Sequence, residues 1–380
     1  MTKALVFVVV VFLTLIIIAV YKFSNFAKKP TGDPLKIPIV SIGKVDPLGD
    51  TADAPRVAVL AQDLQIPWSL VFLPDRSILL TERPGRVRLI SVDGKLKSEP
   101  VATIDEVRHV GEGGLLGIEI HPRFSENKFV YVYYTYAGGE AKTLNRVVRY
   151  KYENERFSDR VVIVDAIPGA PNHNGGRIKF GPDGFLYVTT GDAQEPSFAQ
   201  DKNSLSGKIL RIDGNGNAAD GNPFGTKVYS YGHRNPQGLA WDSEDRLFET
   251  EHGNNATDEF NLIESGKNYG WPTIRGDEKQ TALINPLIHS GTGDTWAPSG
   301  AAFLGNSVFF AGLRGSALYE VKIDGGEYKL IEHFKNEFGR IRDVVAGQGG
   351  LLYILTNNTD GRGKQVKGDD KVLVINPKNL

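Results

Sequence analysis

The first candidate for chemistry is a histidine in a short polar loop. His173 stands between two asparagines and is followed by two glycines and an arginine, in the stretch NHNGGR. A neutral imidazole has a pKa suited to proton abstraction near neutral pH. Asp192 ends the hairpin that follows, where a carboxylate can cap its own turn. By residue type alone, a loop histidine is more often structural than catalytic, so both interpretations stay open.

Cationic side chains occur in two further polar stretches. Arg234 and Asn235 lie in YGHRNPQG, and Arg340 and Arg342 lie in GRIRD. Residues two apart on a strand point to the same side, so Arg340 and Arg342 have the spacing needed to clamp a carboxylate together. The plainer alternative for such a pair is a solvated strand face.

Six pairs of apolar strands must position these stretches. Each pair consists of an apolar strand, a polar turn and a second apolar strand, and the starts are 48, 60, 61, 63 and 42 residues apart. The pairs begin at Leu70, Ile118, Ile178, Leu239, Ala302 and Val344. Further apolar strands follow several of them, so the pattern predicts an all-β, six-bladed β-propeller of four-stranded blades over residues 56–380. In such a fold the polar stretches converge at one end of the central channel.

Composition excludes several kinds of function. The 380 residues include 44 basic and 45 acidic side chains, and a net charge of −1 argues against a nucleic-acid partner. The chain has no cysteine, which excludes disulfides and thiolate metal sites. With 43 glycines and 41% hydrophobic residues, the composition suits a turn-rich β protein with a large core.

An apolar run near the N-terminus predicts a membrane anchor. Ala4–Val20 carries no charge and is about as long as a short membrane span, and no convincing cleavage site follows it. We therefore expect an uncleaved transmembrane signal-anchor helix within residues 1–29, followed by a linker over residues 30–55 that is rich in Pro, Gly and Asp. Lysines flank the span on both sides, so the charges do not decide its orientation.

Three motifs taken together resemble one family of enzymes. They are HNGGR followed by GPDG, then GHRNPQGLAW, then EHG with DEFN and NYGWP, and the resemblance extends from about Ile66 to the C-terminus. The sequence resembles the soluble quinoprotein sugar dehydrogenases, the glucose/sorbosone dehydrogenase group, and especially the shorter aldose sugar dehydrogenases. The resemblance implies a six-bladed propeller that binds pyrroloquinoline quinone (PQQ) and calcium and oxidises the C1 hydroxyl of aldoses to a lactone.

The resemblance also implies roles for individual residues. His173 is the implied general base, which takes the sugar hydroxyl proton while hydride passes to the quinone, and Asp192 orients it. The glycines after His173 would let the flat cofactor approach the backbone. Arg234 lies near the quinone oxygens, where it would stabilise developing negative charge and share in catalysis. The implied cofactor-binding residues are Glu112, Arg234, Asn235, Arg314, Arg340 and Arg342.

Two of those positions depart from the family pattern. Glu112 stands where the larger glucose enzymes carry a glutamine, and a carboxylate beside an acidic cofactor must be protonated or directed elsewhere. Arg314 stands where the family often carries a lysine, which keeps the charge but changes the contact.

Calcium is the second implied cofactor. Backbone carbonyls of Gly253 and Asn254 match a Gly-Pro pair that holds the ion beside the quinone, and main-chain ligands do not require the proline. Glu259 and Tyr269 match a second, structural calcium site. Trp296 is the aromatic residue that we expect to stack on the sugar.

Two other classes of function remain compatible with a propeller. A calcium-dependent lactonase would need carboxylate and asparagine ligands around one axial metal and would not use an arginine cluster. A non-catalytic scaffold would not need His173, Arg234 or the Arg340 and Arg342 pair, and all of these are present. For a quinoprotein dehydrogenase we expect a body on the periplasmic or extracellular side of the cell membrane, an aldose substrate and a separate electron acceptor. The preferred sugar and the choice between monomer and homodimer do not follow from the sequence.

Overall fold

The computed structural model describes residues 55–139 and 142–380, and these form six antiparallel sheets of four strands each. The predicted six-bladed propeller is confirmed. Every one of the six predicted strand pairs forms the first two strands of a hairpin in its own blade. In each pair a short turn sequence, such as PDR, GPDG or LGN, separates two apolar segments, which is why these segments form hairpins.

The blades follow one another along the chain, and their strands run from the channel outwards. The first blade contains β2 (Pro67–Phe72), β3 (Ile78–Glu82), β4 (Arg86–Ile90) and β5 (Ala102–Thr103). The second contains β6 (Leu115–Ile120), β7 (Phe129–Ala137), β8 (Thr143–Glu153) and β9 (Arg156–Gly169). The third contains β10 (Ile178–Phe180), β11 (Leu186–Thr190), β12 (Lys208–Ile212) and β13 (Val228–Tyr231).

The fourth and fifth blades likewise take their four strands in chain order, whereas the sixth takes its outermost strand from the start of the domain. The fourth contains β14 (Pro236–Trp241), β15 (Leu247–Glu251), β16 (Glu259–Ile263) and β17 (Ile288–His289). The fifth contains β18 (Pro298–Leu304), β19 (Ser307–Gly312), β20 (Ala317–Asp324) and β21 (Glu327–His333). The sixth contains β22 (Ile341–Ala346), β23 (Leu352–Thr356) and β24 (Val372–Ile375), and its outermost strand is β1 (Val57–Ala61) from the start of the domain.

The strand β1 closes the ring. It pairs with β24 in antiparallel register, with Val57 opposite Ile375 and Ala61 opposite Val372. The two ends of the domain therefore share one sheet. This pairing protects the edge of the last blade, which would otherwise stay open.

The innermost strands share an irregularity near their first residues. A register shift occurs at this end of β2, β6, β14, β18 and β22, five of the six innermost strands. Such a bulge bends the strand and redirects a side chain. The bulged segments contain Trp68, Gln237, Ser299 and Arg342, and these side chains meet across the channel.

Among residues 55–139 and 142–380, helical structure consists of two four-residue helices, α1 (Phe124–Asn127) and α2 (Ser197–Gln200), and two short 3-10 turns, Gln348–Gly350 and Pro377–Asn379. Within residues 55–139 and 142–380, no helix is long and apolar enough to cross a membrane. The predicted anchor over residues 1–29, and the predicted linker up to residue 54, lie outside the described residues.

Candidate active site

The predicted histidine and aspartate form a close pair. The Nδ1 atom of His173 lies 2.7 Å from Oδ1 of Asp192, and the imidazole remains partly exposed while the carboxylate is buried. His173 adopts a left-handed backbone conformation with φ of 61°, which a tight loop requires. Because Nδ1 faces the carboxylate, the other ring nitrogen, Nε2, carries the lone pair when the ring is neutral. The arrangement provides a base with an oriented tautomer.

Asp192 is itself held in place by two further donors. The indole Nε1 of Trp271 donates to Oδ2 at 2.8 Å, and the backbone amide of Gln194 donates to Oδ1 at 2.8 Å. The indole of Trp271 also lies under the guanidinium of Arg234, at 5.3 Å from the ring centre. These contacts fix the carboxylate, and through it the ring of His173.

The glycines after His173 serve the packing of the chain itself. A Cβ on Gly175 would lie 2.6 Å from the carbonyl oxygen of Thr189, and one on Gly176 would lie 2.6 Å from the side chain of Leu116. Both glycines have positive φ angles. The packing of the chain therefore requires glycine at both positions, and the approach of a flat cofactor to this backbone stays a prediction.

Arginines without acidic partners surround the pair. Arg83 and Arg342 are buried, Arg234 is half-buried, and none of the three forms a salt bridge among the described residues. Arg342 donates to Oε1 of Gln237 at 2.8 Å and to Oδ1 of Asn357 at 3.1 Å, and Arg83 donates to the carbonyls of Gly111 and Gly113. All of these acceptors are uncharged.

Burial raises the free-energy cost of keeping these three arginines charged. It lowers the pKa of Arg342 to about 9, with help from the nearby charges of Arg83 and Arg340, and it lowers the pKa of Arg83 to about 10. The pKa of Arg234 is lowered by burial too. A set of buried cations that form no direct salt bridge favours a ligand that carries several negative charges.

Unused polar atoms point to the same conclusion. Nε of Arg234, Nδ2 of Asn235, Nε2 of His252 and Nδ2 of Asn357 are buried and have no hydrogen-bond partner in the described structure. The Oδ1 atom of Asn235 accepts the Gly175 amide at 3.0 Å, and the Arg234 carbonyl accepts the Asp192 amide at 2.8 Å. The GHRN segment is thus joined to the His173 loop, and donors from several blades remain available for an acceptor-rich ligand.

The two arginines of GRIRD do not act as a pair on one strand face. Arg342 lies on β22, whereas Arg340 precedes the strand and forms a salt bridge with Asp360 at 3.0 Å. The joint clamp therefore stays a prediction, in which Arg340 already has an acidic partner and Arg342 does not. Arg314 is exposed in the turn between β19 and β20 and has no described partner.

Glu112 lies beside the histidine and is directed to two donors. Its Oε2 atom accepts the backbone amide of His173 at 3.2 Å, and its Oε1 atom lies 2.6 Å from the guanidinium of Arg362. Burial opposes its ionisation, but the charge of His252 and the bond from Arg362 lower its pKa to about 2.

The residues predicted to bind calcium line one small cleft. Gly253, Asn254, Glu259 and Tyr269 share it with Arg234, His252 and Trp271. Burial, and then the charge of Glu251, raise the pKa of Glu259 to about 8, and no cationic side chain pairs with it among the described residues. The Tyr269 hydroxyl donates to the Leu262 carbonyl at 2.7 Å and accepts the Glu264 amide at 2.8 Å, and its predicted role as a calcium ligand stays a prediction.

Trp296 does not present a free face to a substrate. Its side chain is 3% exposed and packs against the rings of Phe310 and Tyr319 at 5.4 and 5.7 Å. Its backbone amide donates to Asp258 at 2.6 Å. Its side chain therefore packs on the fifth blade and does not offer the free face that the predicted sugar stacking requires.

Sequence reasoning gave no role to four residues of the site: Arg83, His252, Trp271 and Arg362. Trp271 and His252 were visible in the NYGWP and EHG motifs, and Arg83 follows β3 in an otherwise ordinary turn, ERPG. Arg362 lies in a polar loop with no distinctive pattern. Only the fold brings this loop to Glu112.

Comparison with known proteins agrees with the geometry. The family model for glucose/sorbosone dehydrogenase matches residues 64–367. The aldose sugar dehydrogenase YliI of Escherichia coli is 31% identical over 356 residues, which cover 85% of this chain and 93% of that protein. The quinoprotein glucose dehydrogenase B of Acinetobacter calcoaceticus is 30% identical over 265 residues, covering 60% of this chain and 55% of that protein.

A solved structure shares the whole propeller. The PQQ-bound aldose sugar dehydrogenase of Streptomyces coelicolor superposes with a TM-score of 0.79 at 39% identity, covering 84% of this chain and 98% of that one. The family model spans most of the chain, and the matched region contains every site residue described above. The chain belongs to the glucose/sorbosone dehydrogenase family.

Proposed function

We propose that this protein is a PQQ-dependent sugar dehydrogenase that oxidises the C1 hydroxyl of aldoses to a lactone. The observation that carries the proposal is the His173–Asp192 pair beside buried arginines that lack acidic partners. A relative and a solved structure of the family are named as quinoprotein and PQQ-bound enzymes, which supports the same cofactor here. PQQ bears three carboxylates, which are opposite in charge to the three arginines without salt bridges, and its many oxygens could accept hydrogen bonds from the unused donors.

The residues of the chain divide the work of binding and proton transfer. Arg83, Arg234 and Arg342 would hold the cofactor carboxylates and quinone oxygens, with Asn235 as a further donor. Bound PQQ supplies the two-electron acceptor for the C1 hydrogen of the sugar. His173 would take the hydroxyl proton at Nε2, and the buried Asp192 carboxylate would stabilise the imidazolium that forms.

Calcium also fits the residues in the cleft beside Arg234. Glu259 is a buried carboxylate with no described cationic partner, and Gly253 and Asn254 supply backbone oxygens on the same cleft. Oxygen ligands of this kind suit calcium. The ion would supply Lewis acidity near the quinone and rigidity to the loop.

The lactonase alternative is less compatible with the channel. The axial position that its metal would need is filled by Arg342, Gln237 and Ser299. In the part of the chain that the structure describes, the carboxylate and histidine groups close enough to share a metal are His233, Glu249 and Glu251, and they are buried within the fourth blade.

A titration of purified protein tests the proposed function. We expect added PQQ with calcium to bind stoichiometrically, to change the cofactor absorbance and to produce activity with an aldose and an artificial electron acceptor. Lactone hydrolysis without PQQ would favour the hydrolase. The absence of both PQQ binding and hydrolysis would favour a non-catalytic scaffold.

Calcium should stabilise the folded protein against heat. A ligand that binds only the folded state at a hundredfold excess over its Kd adds about 2.7 kcal/mol. We expect a rise in melting temperature with calcium and a smaller rise in Glu259→Gln, which loses one charged ligand. Magnesium, which prefers water and tight octahedral sites, is the control ion. Equal melting curves with and without calcium in the native protein would contradict the calcium assignment.

We propose that the propeller lies on the periplasmic or extracellular side of the cell membrane, held by the N-terminal anchor. The apolar run Ala4–Val20 supports the anchor. Sugar oxidation that passes its electrons to the cell envelope supports the periplasmic or extracellular side of the membrane. Protease added to spheroplasts should digest the propeller. A propeller that is digested only in inverted vesicles would contradict this location.

A further inference from the structure

An ion pair connects a loop of the last blade to Glu112, in the segment between β5 and β6, and Glu112 in turn holds the loop that carries the histidine. The segment between β23 and β24 contains Arg362, whose Nη1 atom lies 2.6 Å from Oε1 of Glu112 and whose Nη2 atom donates to Oδ1 of Asn172 at 3.0 Å. The other oxygen of Glu112 accepts the His173 amide at 3.2 Å. The Glu112 carboxylate therefore accepts hydrogen bonds from two donors, Arg362 and the His173 amide, which lie on loops of different blades.

Glu112 is the negative charge within a mainly positive site. Its low pKa, near 2, means that it is ionised at neutral pH. The cationic groups that interact with it electrostatically are Arg83, Arg234, Arg342 and Arg362, whereas burial lowers the pKa of nearby His252 to about 4 and leaves that ring neutral at neutral pH. Of these, Arg362 is the one that forms a salt bridge with it in the described structure. A ligand with several carboxylates would be repelled by Glu112 unless that charge were compensated.

We propose that Arg362 is a positioning residue that neutralises Glu112, so that an anionic cofactor can bind beside it while Glu112 still holds the backbone of His173. The inference rests on the proposed function, because it concerns binding of PQQ. A carboxylate is suited to this double task because both of its oxygens accept hydrogen bonds, whereas an amide has one accepting oxygen. Arg362 acts through Glu112 and is not assigned a contact with the cofactor.

The test compares four variants in PQQ binding, measured by fluorescence or calorimetry with calcium in excess. Arg362→Met should weaken PQQ binding about 10- to 100-fold, because it leaves the Glu112 carboxylate unpaired near the ligand. Glu112→Gln should bind within about threefold of the native protein, since it removes the repelling charge. The double variant should return to that level, and Arg362→Lys should fall between the native protein and Arg362→Met.

The outcomes separate this inference from the proposed function. Failure of the native protein to bind PQQ would overturn the proposed function, and this inference with it. If the native protein binds PQQ and Arg362→Met binds equally well, only the inference is overturned. If the double variant stays as weak as Arg362→Met, Arg362 contacts the cofactor directly or only tethers the loop, and the inference is again wrong. Melting temperatures of all four variants verify that each is folded.

Discussion

His173→Ala should bind PQQ almost as well as the native protein and yet lose about 10²- to 10⁴-fold in turnover, the usual effect of removing a general base. The cofactor carboxylates are expected to rest on arginines, and the histidine contributes the proton acceptor at Nε2. The fold should also survive, because the imidazole is partly exposed and its one described ring contact is Asp192.

A second histidine provides the control for that experiment. His333 lies on the outermost strand β21 and pairs with Glu320 at 2.8 Å, so its replacement by alanine should leave kcat unchanged. Turnover and PQQ affinity are measured for both variants at saturating sugar. Full recovery of His173→Ala at saturating PQQ would show that His173 only assists binding, and the proposed mechanism would fail.

Arg342→Ala should show the opposite behaviour, with PQQ binding weakened about 100-fold or more and turnover restored by excess PQQ. Its guanidinium is buried on the channel floor, with uncharged acceptors and two neighbouring arginines. Loss of the buried partner of a cofactor carboxylate costs about 3 kcal/mol or more, which is a factor of at least 100 in Kd.

The same substitution should scarcely destabilise the cofactor-free protein. Charged Arg342 is costly there, as its lowered pKa of about 9 indicates, so its removal relieves repulsion while it breaks hydrogen bonds to Gln237 and Asn357. The matched control is Arg177→Ala, because Arg177 is equally buried but pairs with Asp343 at 3.0 Å. We expect this control to lower the melting temperature strongly. A large loss of apo stability in Arg342→Ala, without loss of PQQ affinity, would contradict the assignment.

The propeller could be predicted because its evidence is local. Each hairpin carries its own alternation and turn, so six pairs were recognisable without knowledge of their packing. The strand β16 could not be recognised from the sequence, because it lies within a polar motif. Two polar residues on one face of this strand, Glu259 and Asn261, point into the blade. The closing strand β1 was also missed, since its partner lies at the other end of the chain.

The site could be predicted where motifs are contiguous and not where the fold brings separate segments together. His173, Asp192, Arg234 and Asn235 lie in two short motifs, and the structure joins those motifs. The surroundings of Arg340 and Trp296 could not be predicted, because a remote acid pairs with Arg340 and the rings of Phe310 and Tyr319 cover Trp296. The same limit concealed Arg362, which reaches Glu112 from 250 positions away.

The closing strand also bears on how the molecule is made. Val57 pairs with Ile375, which lies 318 positions later in the chain. The ring therefore stays open until the ribosome has produced nearly the whole propeller. Such a distant pairing is entropically slow, and until it forms the apolar strand β1 and the edge of β24 have no partners. Closure of the ring is thus the step before which the propeller is most exposed to misassembly with another copy.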